Sequence, residues 1–498
     1  MHRYKFKNLT LKTNQVKILL GIFAAAIVLS ASFYNLTSKP AVWFDEGIFL
    51  HAGRTLADNG VFGVQLSPDS YSDLSLVTVG YPLLLPQAFL VKFFGQSIFG
   101  ARVIMALFII GFTLSFYLLV QRLYGGYLAL AATLLLTTFA PLYGNGKSVI
   151  GEVPGLFYFT FGMFFMHLTE EMDRKFGANQ RQIYAFLAGL GFGLAAATKP
   201  SFLIIAAAVL VSVIFKIHFW KKLPYTFLSG AIGFIAPLVI WVKTQFSGAI
   251  NWAEMYSFYS NPYQLPAEEI LNLLSSNFFR FFMESTPVHF SALLTVFLFF
   301  LIIKFKKKEK IYSVEIIVFC FSLLTIGAYL RTPGWYRYFF PAHVLLFIFL
   351  PAAVLYIVKF LNWRKDLAVV AVGLLLAVQF IHLGNEEWGY RPDKITPLGQ
   401  YLKTIKPSTS VVFYNASELA YLYPNENFYQ YIRINEKLSL GREIRTAIER
   451  GEYDMLISPA VYLSKEAGLH DLDYSCYQLD QTIDSYAILI RSSSDCTK

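Results

Sequence analysis

Asp45 and Glu46 stand side by side in "AVWFDEGIFLHAGRTLADNG", which starts at Ala41 just after a long apolar run. A carboxylate held near a reacting hydroxyl can take its proton as a new bond forms. Helix capping accounts for one acid here, since a carboxylate in a first helical turn gains roughly 0.3–1 kcal/mol. It leaves the other unexplained: Asp45 reads as the base, and Glu46 as a residue that orients it, binds an acceptor or stays solvated. Glu152, in "GNGKSVIGEVPGLFYF", is the second acid of interest, with Lys147 in the same turn. Arg102, in "GQSIFGARVIMALF", has a guanidinium suited to a phosphate by bidentate pairing; snorkelling to lipid headgroups is the plainer reading. Lys199, in "AAATKPSFL", sits in a very short turn between apolar runs. Arg331 and Arg337 flank Trp335 and Tyr336 in "LRTPGWYRYFFPAHV", with Tyr338 and His343 beyond. An aromatic belt explains the two rings, and a basic aromatic loop also suits an anionic lipid head. Ionisable side chains at membrane depth are costly, so each of these places needs a reason.

The elements that must position these residues are helices in a bilayer. The chain is 56% hydrophobic and 15% charged, with a mean hydropathy of +0.49. Apolar runs of about 20 residues are long enough to cross a hydrocarbon core. Eleven are expected: 17–34, 101–121, 126–143, 153–169, 182–197, 201–217, 226–246, 288–304, 312–330, 338–358 and 366–384. With the N-terminus cytoplasmic, alternation puts "MDRKFGANQRQ", "KIHFWKK", "KFKKKEK" and "KFLNWRKD" inside, as the positive-inside rule requires. The net charge of +10 is therefore a topology signal, and nucleic acid is not the expected partner. The other face receives 35–100, the turn near 144–152, 247–287 and everything after 385, with short turns at 198–200 and 331–337. The first run is longer than a signal-peptide core and reads as an anchor. The pattern "DEGIFLHAGRTLADNG" reads as a helix ending at Gly60, with Ile48, Phe49, Ala52 and Leu56 on a face that can rest on the membrane. Residues 78–95, led by Tyr81 and Pro82, read as a helix against the outer leaflet.

Two units follow: a transmembrane domain over 1–384 and an extracytoplasmic tail over 385–498. In the tail, "SVVFYN", "DMLIS" and "SYAILIR" read as strands. "TPLGQYLKTIK", "ASELAYLY" and "REIRTAIERGEY" read as helices, giving a small α/β domain that packs or docks an acceptor. Cys320 falls within a span, whereas Cys476 and Cys496 share the tail, where a bridge between them is open. No CxxC, clustered Cys/His pattern, Walker A loop or strand-linked GxGxxG occurs, so ATP-driven transport has no support.

Acids and bases gathered on one face of a membrane suit transfer of a group from a lipid phosphate. Cationic side chains would neutralise the phosphate leaving group and a carboxylate would activate the acceptor hydroxyl. The chain here resembles the GT-C type polytopic glycosyltransferases, which include protein O-mannosyltransferases and aminoarabinose transferases. The resemblance covers roughly the first 350 residues. It rests on the order of "WFDEGIFLHAGRTLADNG", "GYPLLLPQAFLVKFFG", "FGARVIMAL", "GEVPGLFYF", "ATKPSFLI" and "RYFFPAH". It implies Asp45 as catalytic carboxylate, Glu152 as second site acid and Arg102 as donor-phosphate contact, with Lys199 and Arg337 as further phosphate contacts. Arg331 joins that phosphate-binding set, and Tyr81, Tyr338 and His343 are the candidates for binding substrate. Many members carry a His or Lys before a double proline in the first loop. This chain has Gly80, Tyr81 and a single Pro82, so Lys92 or no residue at all takes that role.

The expected reaction is transfer of a hexose or pentose from a polyprenyl-phosphate donor to a hydroxyl on a protein, lipid A or another envelope glycan, with inversion. A divalent cation shared by Asp45 and Glu152 is an open question. The main rival is a transporter or lipid flippase, which needs charges along a pathway through the spans; a scaffold whose working part is the tail is another. One cavity mouth lined by Asp45, Glu152 and Arg102 favours the enzyme, and their dispersal favours a rival.

Overall fold

In the computed structural model the described residues are 10–74, 77–171, 178–221, 223–246, 267–388, 395–432, 439–463 and 472–492. The chain opens with helix α1 (Thr10–Phe33). Helix α2 (Phe44–Asn59) follows, closed by Gly60 at φ 72°, whose N–H returns to the Leu56 carbonyl over 3.1 Å. A left-handed residue just past the last turn is a conformation that glycine adopts without steric cost. A hairpin, β1 (Gly63–Ser67) and β2 (Ser70–Asp73), leads to α3 (Tyr81–Phe94).

The bundle continues as α4 (Ile98–Tyr124), α5 (Gly126–Thr137), α6 (Pro141–Gly146), α7 (Glu152–Glu171), α8 (Ala178–Thr198), α9 (Ile204–Phe215), α10 (Ile217–Trp220) and α11 (Pro224–Gln245). Beyond it lie α12 (Ala267–Met283), α13 (Ser285–Lys306), α14 (Ser313–Leu330), α15 (Phe340–Leu346), α16 (Leu350–Phe360) and α17 (Asp366–Leu383). Among the described residues six helices are long and apolar enough to cross a membrane, or seven if α15 and α16 form one span bent by 50°. The sequence reading of eleven uniform spans thus gives way to a mixed set. The run 126–143 breaks after Thr137, and Pro141, which cannot donate a backbone hydrogen bond, starts a separate short helix. Helix α7 is 20 residues long but carries Glu152, His167 and Glu170, all buried within protein.

The helix ends define two poles. Arg102 opens α4, Glu152 opens α7 and Lys199 precedes α9; these lie at one pole. At the other, Lys304 makes bonds of 2.7 and 2.8 Å to Glu315, which also accepts from Tyr124 at 2.9 Å, while Lys216 meets Glu170 at 2.6 Å. That second pole thus pairs its buried charges internally, as a low-dielectric surrounding demands.

The tail forms a sheet domain: α18 (Ile395–Thr404), β3 (Val411–Tyr414), α19 (Ser417–Leu422), β4 (Phe428–Tyr431), α20 (Ser439–Glu449), β5 (Met455–Pro459), β6 (Tyr477–Ile483) and β7 (Tyr486–Arg491). The strand order is β4-β3-β5-β7-β6, parallel from β4 through β5 and antiparallel beyond. Three strands fall where the sequence puts them; β4 and β6 are additional. Strand β6 is mostly exposed, and Gln481, at a register shift, interrupts the apolar alternation of Tyr477, Leu479 and Ile483, so its signal is weak. Cys476 is buried, its thiol toward the Glu449 carbonyl at 3.6 Å, and Cys496 lies outside the described residues.

Candidate active site

Helix α2 presents its two acids in opposite directions. Phe44 is the first helical residue, so the peptide N–H of Trp43 needs a partner, and the Glu46 carboxylate accepts it at 3.4 Å. The same carboxylate takes a bidentate grip from Arg102, at 2.9 Å from Nε and 2.8 Å from Nη2, and accepts the Val149 N–H at 3.1 Å. Arg102 donates its third nitrogen to the Leu36 carbonyl at 3.0 Å. Both side chains are fully buried. The sequence left Glu46 to orient Asp45, bind an acceptor or stay solvated, and assigned Arg102 to a phosphate; in the structure the two side chains pair with each other and all three nitrogens of Arg102 are hydrogen-bonded. Glu46, not Asp45, is the capping acid.

Asp45 points the other way. Its carboxylate receives Arg337 Nη1 at 2.7 Å, and its side chain is 30% exposed, the more open member of the pair. Arg337 lies just before α15, and its guanidinium is packed among Trp43, Trp335 and Tyr338, with ring centroids 5.7, 4.7 and 5.3 Å away. Trp335 and Tyr338 stack nearly parallel, with centroids 6.0 Å apart. Aromatic faces attract a cation and fix its plane. Burial alone would lower the Arg337 pKa, but the carboxylates of Asp45 and Glu152 outweigh it and hold it above the ordinary arginine value.

Glu152 and Lys199 form the second pair. Lys199 Nζ bonds directly to Glu152 Oε1, and donates to the Ile150 carbonyl at 2.8 Å. Burial pushes the lysine pKa down, with Glu152 opposing. The two pairs lie close enough for charge to act between them: Glu152 on Arg337, and Arg337 and Asp45 on Lys199. Two buried polar atoms here have no hydrogen-bond partner, Glu152 Oε2 and Arg337 Nε. Such atoms are rare in folded interiors and mark places where a bound group could complete the set.

Other candidates fall elsewhere. Arg331 ends α14 with an exposed side chain, and none of the described contacts of the cluster involves it. His343, expected to bind substrate, is buried on α15 with both ring nitrogens engaged, by Tyr336 at 3.1 Å and His289 at 3.0 Å. Tyr81 is the first residue of α3 and packs with Ala197, Trp241 and Phe246. Lys147 is buried against Glu387 at 2.5 Å and the Tyr34 carbonyl at 3.0 Å. Lys92 is exposed near the far end of α3, about 16 Å along the helix from Tyr81 at 1.5 Å per residue. Gly80 explains why the first loop carries no basic residue there. Its N–H donates to the Thr198 carbonyl at 3.0 Å, and a Cβ would lie 2.1 Å from the Ala197 carbonyl. No side chain fits, and Lys199 follows immediately on the strand of backbone that closes against it.

For a metal, the two acids make a poor donor set as placed, since Arg337 and Lys199 already face them. Among the described residues no three His, Cys, Asp or Glu side chains gather in a way that could hold an ion.

Helix α2 is also less a membrane-surface helix than the sequence suggests. Phe49 and Ala52 are buried with Leu83, Leu84 and Tyr421, and the tail domain roofs the helix. Ser417 donates to the Phe44 carbonyl at 3.0 Å, and Arg54 to the Tyr423 carbonyl at 3.0 Å. Gln430 meets His51 Nδ1 at 2.7 Å.

This fold, a polytopic helical bundle capped by a small sheet domain, recurs among solved structures. Over residues 83–241 the chain matches the family model described as dolichyl-phosphate-mannose-protein mannosyltransferase. Among solved structures it is similar to ArnT from Cupriavidus metallidurans bound to undecaprenyl phosphate, at 14% identity and a TM-score of 0.61, covering 97% of this chain and 99% of that one. It is also similar to the archaeal oligosaccharyltransferase AglB from Archaeoglobus fulgidus in complex with an inhibitory peptide and a dolichol-phosphate. That match has 10% identity and a TM-score of 0.59, over 98% of this chain and 75% of that one. No curated protein matches the chain by sequence.

Proposed function

We propose that the protein is a membrane glycosyltransferase that moves a hexose or pentose from a polyprenyl-phosphate donor to a hydroxyl of an envelope acceptor, on the outer face of the membrane and with inversion. The observation that carries this reading is the contact between Asp45 and Arg337, a base and a phosphate-binding cation held 2.7 Å apart at an open rim. The Glu152–Lys199 pair lies behind them. Asp45 takes the proton of the acceptor hydroxyl as the oxygen attacks the anomeric carbon. The bond from that carbon to the phosphate oxygen breaks, and Arg337 and Lys199 take up the charge of the departing lipid phosphate. One displacement inverts the centre. Tyr338 and Trp335 offer faces on which a sugar ring can stack beside the guanidinium. Carrier-lipid phosphates in the ArnT and AglB structures support the donor class.

The test is to incubate membranes with a panel of radiolabelled polyprenyl-phosphate sugars. Wild-type protein should transfer label from one of them, and Asp45→Asn should abolish transfer at unchanged expression and thermal stability. Full activity in that variant removes Asp45 from the chemistry. Transfer that survives EDTA would fit the cation-paired acids; its loss, restored by a divalent ion, would show that a cation takes part.

A further inference from the structure

The loop that delivers Arg337 is held from outside the cluster. Between α14 and α15 the chain turns through Arg331–Trp335, with Gly334 at φ 76°. Asn277, on α12 and almost wholly buried, aims its amide into that turn. Its Nδ2 donates to the carbonyls of Thr332 at 2.7 Å and Leu330 at 3.1 Å, with Tyr329 at 3.5 Å. One turn on, Arg280 contacts Asn277 Oδ1 at 3.3 Å and the Pro333 carbonyl at 3.5 Å. From the last turn of α14, Tyr329 donates to the Gly334 carbonyl at 3.1 Å. The fit leaves no slack: a Cβ at Gly334 would lie 1.7 Å from Arg280 Nη1 and 2.4 Å from Asn277 Oδ1.

Helix α12 turns its other side outward. Leu271, Phe278, Phe279, Phe282 and Met283 are all more than half exposed, and α13 follows at once as a span-length apolar helix. An amphipathic helix next to a span rests in the layer where headgroups meet acyl chains. That is the depth at which a lipid phosphate lies.

We infer that Asn277 is a positioning residue, and that α12 uses it, with Arg280, to hold the Arg331–Trp335 turn so that Arg337 meets a lipid phosphate at a set depth. This rests on the assignment of Arg337 to the donor phosphate. An amide whose two N–H groups are spent on the carbonyls of Thr332 and Leu330 fixes the backbone there, because each carbonyl would otherwise seek water. Only Trp335 and Tyr336 lie between Gly334 and Arg337, so a displaced turn carries the guanidinium with it, and a misplacement of about 1 Å can cost up to about 100-fold in rate.

The experiment measures the Kd for undecaprenyl phosphate in purified full-length protein for wild type, Asn277→Ala, Arg337→Ala and the double variant. Thermal unfolding is recorded for each. Asn277→Ala is expected to weaken binding roughly tenfold in the wild-type background and less than about twofold in the Arg337→Ala background, since its effect passes through that arginine. Equal weakening in both backgrounds would mean general damage and would overturn the inference, as would unchanged binding in Asn277→Ala. If Asn277→Ala does not fold, Arg280→Ala, on a partly exposed side chain, carries the same comparison with a smaller effect. Wild-type binding by Arg337→Ala would overturn both the phosphate assignment and the clamp. Weak binding there with normal binding in Asn277→Ala and Arg280→Ala would overturn the clamp alone.

Discussion

Asp45 and Glu46 differ by one methylene and one position, and the helix start separates their fates. On α2 successive side chains diverge by about 100°, so one acid faces into protein and the other toward the rim. The inward one caps the helix and pairs with Arg102. A fully buried pair costs much to break from one side, since the survivor is a charge without a partner. Glu46→Gln should therefore lower stability by about 3–5 kcal/mol, read as a fall in melting temperature in detergent. The double replacement Glu46→Gln with Arg102→Met should recover part of that loss; a double variant as unstable as the worse single one would refute the pairing. The acid pair itself was legible in the sequence. Its division of labour was not, because the partner lies 56 residues away and only tertiary packing brings it near. The surroundings of His343 were hidden for a related cause: aromatic neighbours look like a binding loop in sequence, and here they enclose a buried Tyr336–His343–His289 chain.

At the scale of elements, α2 joins the site to the tail domain. The sequence located this helix and its glycine stop within a residue or two, because capping and period are local signals. It did not reveal the roof, since a face that is apolar looks alike whether it meets lipid or protein. Gly47 records the closeness: a Cβ there would lie 2.3 Å from the Glu418 backbone nitrogen. Gly47→Ala should push α19 away and disturb Asp45 two residues back, so activity should fall while the bundle's melting transition is kept. Two buried titratable groups sit in this interface. Burial raises the Glu418 pKa from 4.5 to about 7, partly offset by the bond from Tyr486, and the folded state binds that proton more tightly than the unfolded one. Its contribution thus falls as pH rises toward about 7. His51 has the opposite sign. Burial, then Arg54, lowers it from 6.5 to about 3, so stability falls as pH drops below 6.5. Between pH 4.5 and 6.5 the two slopes oppose each other. Glu418→Gln should expose the histidine alone, adding a loss on acidification of about 1.4 kcal/mol per pH unit. A variant whose melting temperature follows the wild-type pH profile would count against the buried glutamic acid.

At the scale of the molecule, the two poles differ in what their charges serve. At the site pole, acids and cations meet around unpartnered atoms; at the other, Lys216, Lys304, Glu170 and Glu315 are closed on one another. Around that second pole the chain is basic, with Lys306 ending α13, Lys307 and Lys308 after it, and Arg364 and Lys365 before α17. The bundle was legible because hydropathy reports on helices that must hydrogen-bond their own backbone in lipid. The count of spans was less so, because α5 is short, α15 and α16 bend, and α7 buries polar groups that dilute its apolar signal. The positive-inside rule would put the basic pole in the cytoplasm, and the proposed lipid-linked transfer would need the site pole and tail on the other side. In a variant with all three native cysteines replaced by serine, single cysteines would be placed at Asp69 in the first-loop hairpin, at Asn425 in the tail and at Lys308 at the basic pole. A membrane-impermeant maleimide applied to intact cells or spheroplasts should label the first two and spare Lys308→Cys until the membrane is opened. Labelling of all three in sealed cells, or of Lys308→Cys alone, would put the acids on the wrong side of the membrane for the proposed transfer, however well their geometry suits it.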